Sequence, residues 1–230
     1  MSVEISAATK ELLKAHLPGW LLNWLRPRWR RVTPVLLHTP FGWGVFRRLK
    51  PLNANFGIGR GTPIDRYYIE KFLAKHSADI RGDVLEFADD TYTRRFGGSH
   101  VRRADVLHAE TGNPRATIIG DLTNLPQVPS ESYDCIICTQ VLLLVYDVRS
   151  AIRTLSRILK PGGVALVTVP GVAHKWVGSG AQGGEDSWRF TSHSLRRLFE
   201  EAFPRENVQV ESAGNVLAAI AFLEGLVVED

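Results

Sequence analysis

The chain has 230 residues, 44% of them hydrophobic, which suffices for one large domain with a full core and leaves too little for two complete ones. Two cysteines and the lack of a signal peptide at Met1 to Lys10 exclude disulfide scaffolding and predict a reducing, cytoplasmic setting. The longest apolar runs, such as Pro34 to Leu37 and Val141 to Val145, fall far short of the roughly 20 residues a bilayer crossing needs. The net charge of +4 is uneven: residues 1–60 carry ten Lys/Arg against Glu4 and Glu11, so the remainder is net acidic.

Residues 1–60 read as a basic, Trp-rich arm or lid. A helix is expected around Ala7 to Leu17, then a break at Pro18-Gly19 and loops punctuated by Pro27, Pro34, Pro40 and Pro51. Trp20, Trp24, Trp29 and Trp43 interleave with the charge. Such a segment either lies on an anionic membrane surface or a phosphate-bearing substrate, or packs as a cover over the domain. No nucleic-acid module accompanies it, so DNA is not expected and RNA is the weaker reading.

The second domain is expected at 61–230. Thr62 is placed to cap a helix, Pro63 to fill its first position and Asp65 to sit in its first turn. Ile64, Tyr68 and Phe72, with Ile69 and Leu73, give it an apolar stripe that ends near His76. Strands are predicted at 83–87, 101–106, 116–119, 133–138, 163–169, 207–212 and 215–223, with helices at 148–159 and 192–202. Val148, Ala151, Ile152, Leu155, Ile158 and Leu159 give the first of these helices a buried face, and Lys160-Pro161-Gly162-Gly163 stops it. The alternation predicts an α/β, doubly wound, mostly parallel seven-stranded sheet. The short link at Ala213-Gly214 makes the last two strands an antiparallel hairpin.

Cys135 and Cys138 form a CxxC, but i and i+3 of a strand face opposite sides, so core packing is expected and no metal. Ligands of open α/β sheets sit beyond the carboxyl ends of the strands. That directs attention to Ala88 to Tyr92, Asp105 to His108, Asp121-Leu122, Thr139-Gln140 and Pro170 to His174.

VLEFADD, ADVLH, GDLTNLP, SYDCIICTQVLLLVYD, AIRTLSRILKPGGVALVTVP and DSWRFTSHSLRRLFEEAF resemble, in this order and spacing, the class I S-adenosylmethionine-dependent methyltransferases over about residues 61–223. The resemblance implies S-adenosyl-L-methionine as cofactor and a Rossmann-like fold. It further implies that Glu86, with Phe87, Ala88 and Asp89, organises the cofactor loop. Asp105 with Val106 would meet the ribose, Asp121 with Leu122 the adenine, and Gln140 the methionine portion. Tyr68, with Tyr67 and Arg66, would close over the cofactor or, for at least one tyrosine, pack in the core. WRFT before a helix resembles sugar and glycoconjugate tailoring enzymes, so the implied acceptor is a small molecule or glycan, methylated on oxygen.

The family's loop reads E-x-G-x-G-x-G, whereas this chain has Glu86-Phe87-Ala88-Asp89-Asp90-Thr91-Tyr92. Asp tolerates left-handed backbone, and carboxylates suit a sulfonium and an ammonium better than a phosphate. The stretch from Phe87 to Val101 leaves room for only a turn or two of helix. The competing reading is a non-catalytic accessory protein that keeps the fold with a worn cofactor loop, or a membrane-peripheral one. Residues 170–188, rich in glycine, read as a lid over the acceptor. His174 is the first candidate base and Asp186 the second; the alternative is a surface His174 and an Asp186 that pairs with Arg189.

Overall fold

The computed structural model describes residues 49–175 and 186–230. The expected helix at Ala7 to Leu17, the four interleaved tryptophans and the middle of the expected lid lie outside the described residues. The chain divides into two compact units, Met1–Lys50 and Pro51–Asp230. The second begins before the expected boundary at 61, because residues 53–63 are fastened to the C-terminal tail. Asn53 N donates to Glu224 O (3.1 Å), Arg60 pairs with Asp230 (3.0 Å), and Pro63 bridges Val227.

The second unit is built on α1 (Ile64–Lys75), β1 (Gly82–Phe87), β2 (Val101–His108), β3 (Ile118–Ile119), β4 (Tyr133–Thr139), α2 (Val148–Ile158), β5 (Leu159–Thr168), α3 (Ser192–Glu200) and α4 (Val216–Glu224). The strands are all parallel in the order β3-β2-β1-β4-β5. Between β1 and β2 the crossover is only irregular helix from Thr91 to His100, as the short spacing requires.

β1 and β4 form the centre, and their two faces are sealed separately. Leu85, Tyr133, Ile136 and Cys138 pack with Ala151, Ile152, Leu155 and Ile158 of α2. Val84, Cys135 and Ile137 pack with Ile69 and Leu73 of α1 and with Ile80. The two cysteines thus face opposite clusters; both are free and fully buried, and burial pushes the Cys135 thiol up to about 12. α2 carries the apolar face read from the sequence and is capped by Asp147, whose side chain accepts from Ser150 N at 3.1 Å.

Several expectations are corrected. The sheet has five strands among the described residues, and no antiparallel hairpin closes it. Residues 207–212 form no strand, and the predicted last strand at 215–223 is the helix α4. Asn215 caps it by accepting from Ala218 N, three alanines fill its interior, and Gly225 ends it in the left-handed conformation at φ 68°. Those helix signals outweigh the apolar run that suggested a strand. Thr62 is not the cap of α1: its hydroxyl donates to Glu229 (2.8 Å), and Pro63 occupies the cap position without a side-chain bond. β2 runs two residues further than predicted, β3 begins later, and β5 begins at Leu159.

Four charged side chains tie the amino ends of four strands together. Arg102 of β2 and Lys160 of β5 bond Asp83 of β1 at 2.9 and 3.0 Å, and Lys160 also bonds Asp134 of β4 at 2.8 Å. The opposite, carboxyl edge carries the candidate site. β5 is an edge strand, and beside it lies an open groove of about 1780 Å³ lined by α1, β5 and residues 206–215. Among the described residues no helix is long and apolar enough to cross a membrane.

Candidate active site at the carboxyl edge of the sheet

β1 and β4 are neighbours, and each ends in a non-glycine residue with positive φ: Ala88 at 68° and Gln140 at 55°. Left-handed backbone costs an L-residue about 1–2 kcal/mol, so it persists only where its surroundings over-determine it. Both turns are held from the side. Ala88 N donates to Leu107 O (3.1 Å), Asn113 Nδ2 donates to Ala88 O (2.5 Å), and Gln140 N donates to Thr168 O (2.9 Å). Ala88 therefore holds a conformation that glycine would adopt freely, at the cost of strain.

The residues that follow explain what this loop can bind. Asp89 Oδ1 accepts from Thr91 N (2.8 Å), while Glu86 accepts from Tyr92 N through Oε1 (3.1 Å) and from Thr93 N through Oε2 (2.7 Å). The first helical amides are thus satisfied by the chain's own carboxylates, and a phosphate finds none to take. Glu86 is 2% exposed, and burial pushes its carboxyl up to about 6 against the lowering effect of its bonds from Thr93 and Tyr92. Near neutral pH it is ionised and builds the loop from within. Asp90, also buried, pairs with Arg94, and Arg115 approaches its other oxygen at 3.7 Å.

Asp105 is not where the resemblance places it. The strand continues to His108, so Asp105 lies inside β2 and faces the α2 side, where it accepts from Tyr133 OH (3.0 Å) and Thr117 Oγ1 (3.1 Å) and pairs with Arg103 (3.2 Å). Burial and the Asp105 charge hold the Tyr133 hydroxyl protonated. The residue at the carboxyl end of β2 is His108, whose Nδ1 accepts from Glu110 N at 3.2 Å. Val106 is buried core beside Glu86 in the register. Asp121 follows β3 and is exposed, but its carboxylate accepts from Thr123 N (2.9 Å) and Thr123 Oγ1 (2.7 Å); Leu122 is buried core. Tyr68 and Gln140 both line the groove beside β5, with Tyr68 set edge-on to Tyr67. Phe87 is packed against the α2-side core.

The two candidate bases are engaged elsewhere. His174 stacks on Phe56 with ring centroids 3.9 Å apart and 5° between planes, and Phe56 in turn stacks on Phe222 of α4. Asp186 receives Arg189 Nη2 at 2.7 Å, and the same nitrogen donates to His174 O at 3.0 Å. Arg189 thereby joins the two ends of the expected lid. Sequence reading singled out the stretch Asp105 to His108 but missed Asn113 and Thr93; the Asn113-Pro114 turn was the signal for the first, and the second needed the path of the loop.

Residues 56–167 match a family model described as a methyltransferase domain. A Mycolicibacterium smegmatis protein named as a probable S-adenosylmethionine-dependent methyltransferase is 33% identical over 96 residues, 41% of this chain and 34% of its own. The chain thus spans about a third of that relative's length. Among solved structures, YcgJ from Bacillus subtilis overlaps 47% of this chain and 53% of its own at 21% identity and a TM-score of 0.39. Haemonchus contortus phosphoethanolamine N-methyltransferase 2, in complex with S-adenosyl-L-methionine, overlaps 60% of this chain and 41% of its own at 14% identity and a TM-score of 0.42.

Proposed function

We propose that this chain is an S-adenosylmethionine-dependent methyltransferase that modifies an oxygen of a small-molecule or glycan-like acceptor. The observation that carries the reading is the turn after β1: Ala88 is held left-handed, and buried Glu86 gathers the two amides that follow. A worn, non-functional loop has no reason to keep a strained conformation that glycine would adopt freely. The buried acids beside the turn suit a ligand that is positive at its methionine end, and the occupied amides disfavour a nucleoside phosphate.

Glu86 and Asp89 would hold the turn against the cofactor, with Gln140 on the neighbouring strand end and Asp121 on the exposed rim beyond β3. The cofactor, when bound, supplies a methyl group already activated on sulfur. The chain's part is then to bind both partners, align them and keep water away, and positioning of that kind accounts for most of the acceleration in such a displacement. His174 and Asp186, stacked and ion-paired, are not given the role of base. The buried free thiols of Cys135 and Cys138 accord with a reducing, cytoplasmic setting.

Calorimetric titration with S-adenosylmethionine tests the reading. Saturable heat is expected, weakened in Glu86→Ala; no heat at millimolar ligand would instead favour the accessory-protein reading. Co-sedimentation of the full chain with anionic vesicles across a salt series checks whether the basic arm of residues 1–60 contacts membranes.

A further inference from the structure

We propose that the solvent-open ring of Tyr146, stacked on Trp188, is an aromatic platform that seats a neutral sugar ring, and so constitutes the acceptor subsite. The chemistry assigned to that ring rests on the methyltransferase reading above; its binding does not.

The two rings rise from the same edge of the sheet as Ala88 and Gln140. Tyr146 stands in the loop between β4 and α2, directly before the Asp147 cap. Trp188 lies two residues before Phe190, whose amide donates to Pro170 O just past β5 (3.0 Å). Their centroids are 6.0 Å apart with 29° between planes. Tyr146 is 81% exposed and Trp188 37% exposed, although most large aromatic side chains here are at least partly covered.

The platform is fixed before any ligand arrives. Trp188 Nε1 donates to Val145 O (3.0 Å) and Tyr146 O (3.2 Å), and the amides of Ser187 and Trp188 both donate to Leu143 O (2.8 and 3.1 Å). Phe190, buried, backs the indole with centroids 6.4 Å apart. The polar handle of Trp188 is thus spent on the backbone, and its indole, in contact with both Phe190 and Tyr146, backs the open ring of Tyr146. Rigid aromatic surface of this sort binds at little entropic cost.

Three ligand classes stack on such faces, and the surroundings favour one. A quaternary ammonium needs enclosing rings or an available carboxylate. The acids adjoining the platform are committed, Asp147 to the start of α2 and Asp186 to Arg189. A small planar aromatic would bury most of its surface in a concave pocket, whereas Tyr146 is open to solvent. A pyranose presents an apolar C–H face to the rings and keeps its hydroxyls in water, so it needs no enclosure. Such a ring can also belong to a larger, partly solvated acceptor. It would bring hydroxyl oxygens to the edge where the methyl donor is proposed to bind.

Saturation-transfer NMR on the full chain without cofactor tests this, with methyl α-glucopyranoside, methyl α-mannopyranoside and maltotriose as probes and phenol and tetramethylammonium as counter-probes. Transfer to sugar ring protons is expected, with affinity at least about fivefold weaker in Tyr146→Ala and Trp188→Ala and retained in Tyr146→Phe. Tyr146 is exposed, so its truncation leaves the fold intact, and an unchanged circular dichroism melt checks that. The proposal is overturned by sugar signals that survive Tyr146→Ala, by binding of the counter-probes alone, or by no transfer to any sugar. Sugar binding without cofactor binding in the calorimetric titration would sink the methyltransferase reading and leave the platform standing; the reverse result would remove only the platform.

Discussion

In the middle of the sheet, Val84, Leu85 and Cys135 through Cys138 are all buried, some under α2 and the others under α1. Beyond β5 the chain is built more loosely: no residue of α3 is buried, residues 208–215 form no strand, and Phe222 is the one buried residue of α4. The contrast teaches where strain can be kept. Ala88 and Gln140 follow the two strands that are clamped on both faces, and that frame holds both left-handed residues in place. The outer region, with its open groove, is covered on fewer sides and borders the candidate site.

The comparison breaks most readily at the core. Ile136→Ala, in the sealed centre, is expected to cost about 2–5 kcal/mol in urea unfolding, whereas Leu217→Ala on the exposed face of α4 should stay within about 0.5 kcal/mol. Equal costs would mean that the two regions are packed alike.

Glu86 gives the next largest effect and a sign that can be checked. Its folded-state value of about 6 lies above the ordinary 4.5, so the folded protein binds the extra proton between those values. Stability should therefore fall as pH rises from about 4.5 to 6, by on the order of 2 kcal/mol, and level off above. Glu86→Gln should flatten that slope. Asp83, at the amino edge, has the opposite sign, because its bonds from Arg102 and Lys160 hold its carboxyl well below the usual range. Its contribution is full above about pH 4, the unfolded value, and is lost as pH falls through the folded one. The gap in urea midpoint between wild type and Asp83→Asn should be present at pH 7 and close in acid, with the exposed Arg102 side of the cluster weakened by added salt.

The same contrast explains what could be read from the residues alone. β1, β4 and α2 were legible because both-face burial writes continuous apolar runs and a helical stripe, and flanking polar and glycine residues bound each of them. The stretch from Val216 to Glu224 was misread because a short apolar run fits strand or helix, and the deciding signs, Asn215 before it and Gly225 after it, are caps rather than periodicity. At the carboxyl edge, the left-handed turn at Ala88 was legible from the glycine expected there. Asp105 was not, because its place depends on where β2 ends, and the Tyr133 hydroxyl that claims it comes from a strand two positions away. The stacking of His174 on Phe56 joins residues far apart in sequence, which no local pattern encodes.

The smallest expected effect bears most directly on the turn. Ala88→Gly removes the methyl group that makes φ 68° costly, a relief of about 1–2 kcal/mol. The added freedom of glycine in the unfolded chain takes back about 0.4–1 kcal/mol. A net gain of roughly 0.5–1 kcal/mol in urea unfolding is expected, with affinity for S-adenosylmethionine unchanged or improved, since the backbone already holds the glycine-like conformation. Ala88→Val should move both the other way, because a β-branched residue resists positive φ more strongly. If glycine instead weakens ligand binding while stabilising the fold, the Ala88 methyl group itself contacts the ligand, and the turn is adapted to its occupant rather than merely tolerating alanine.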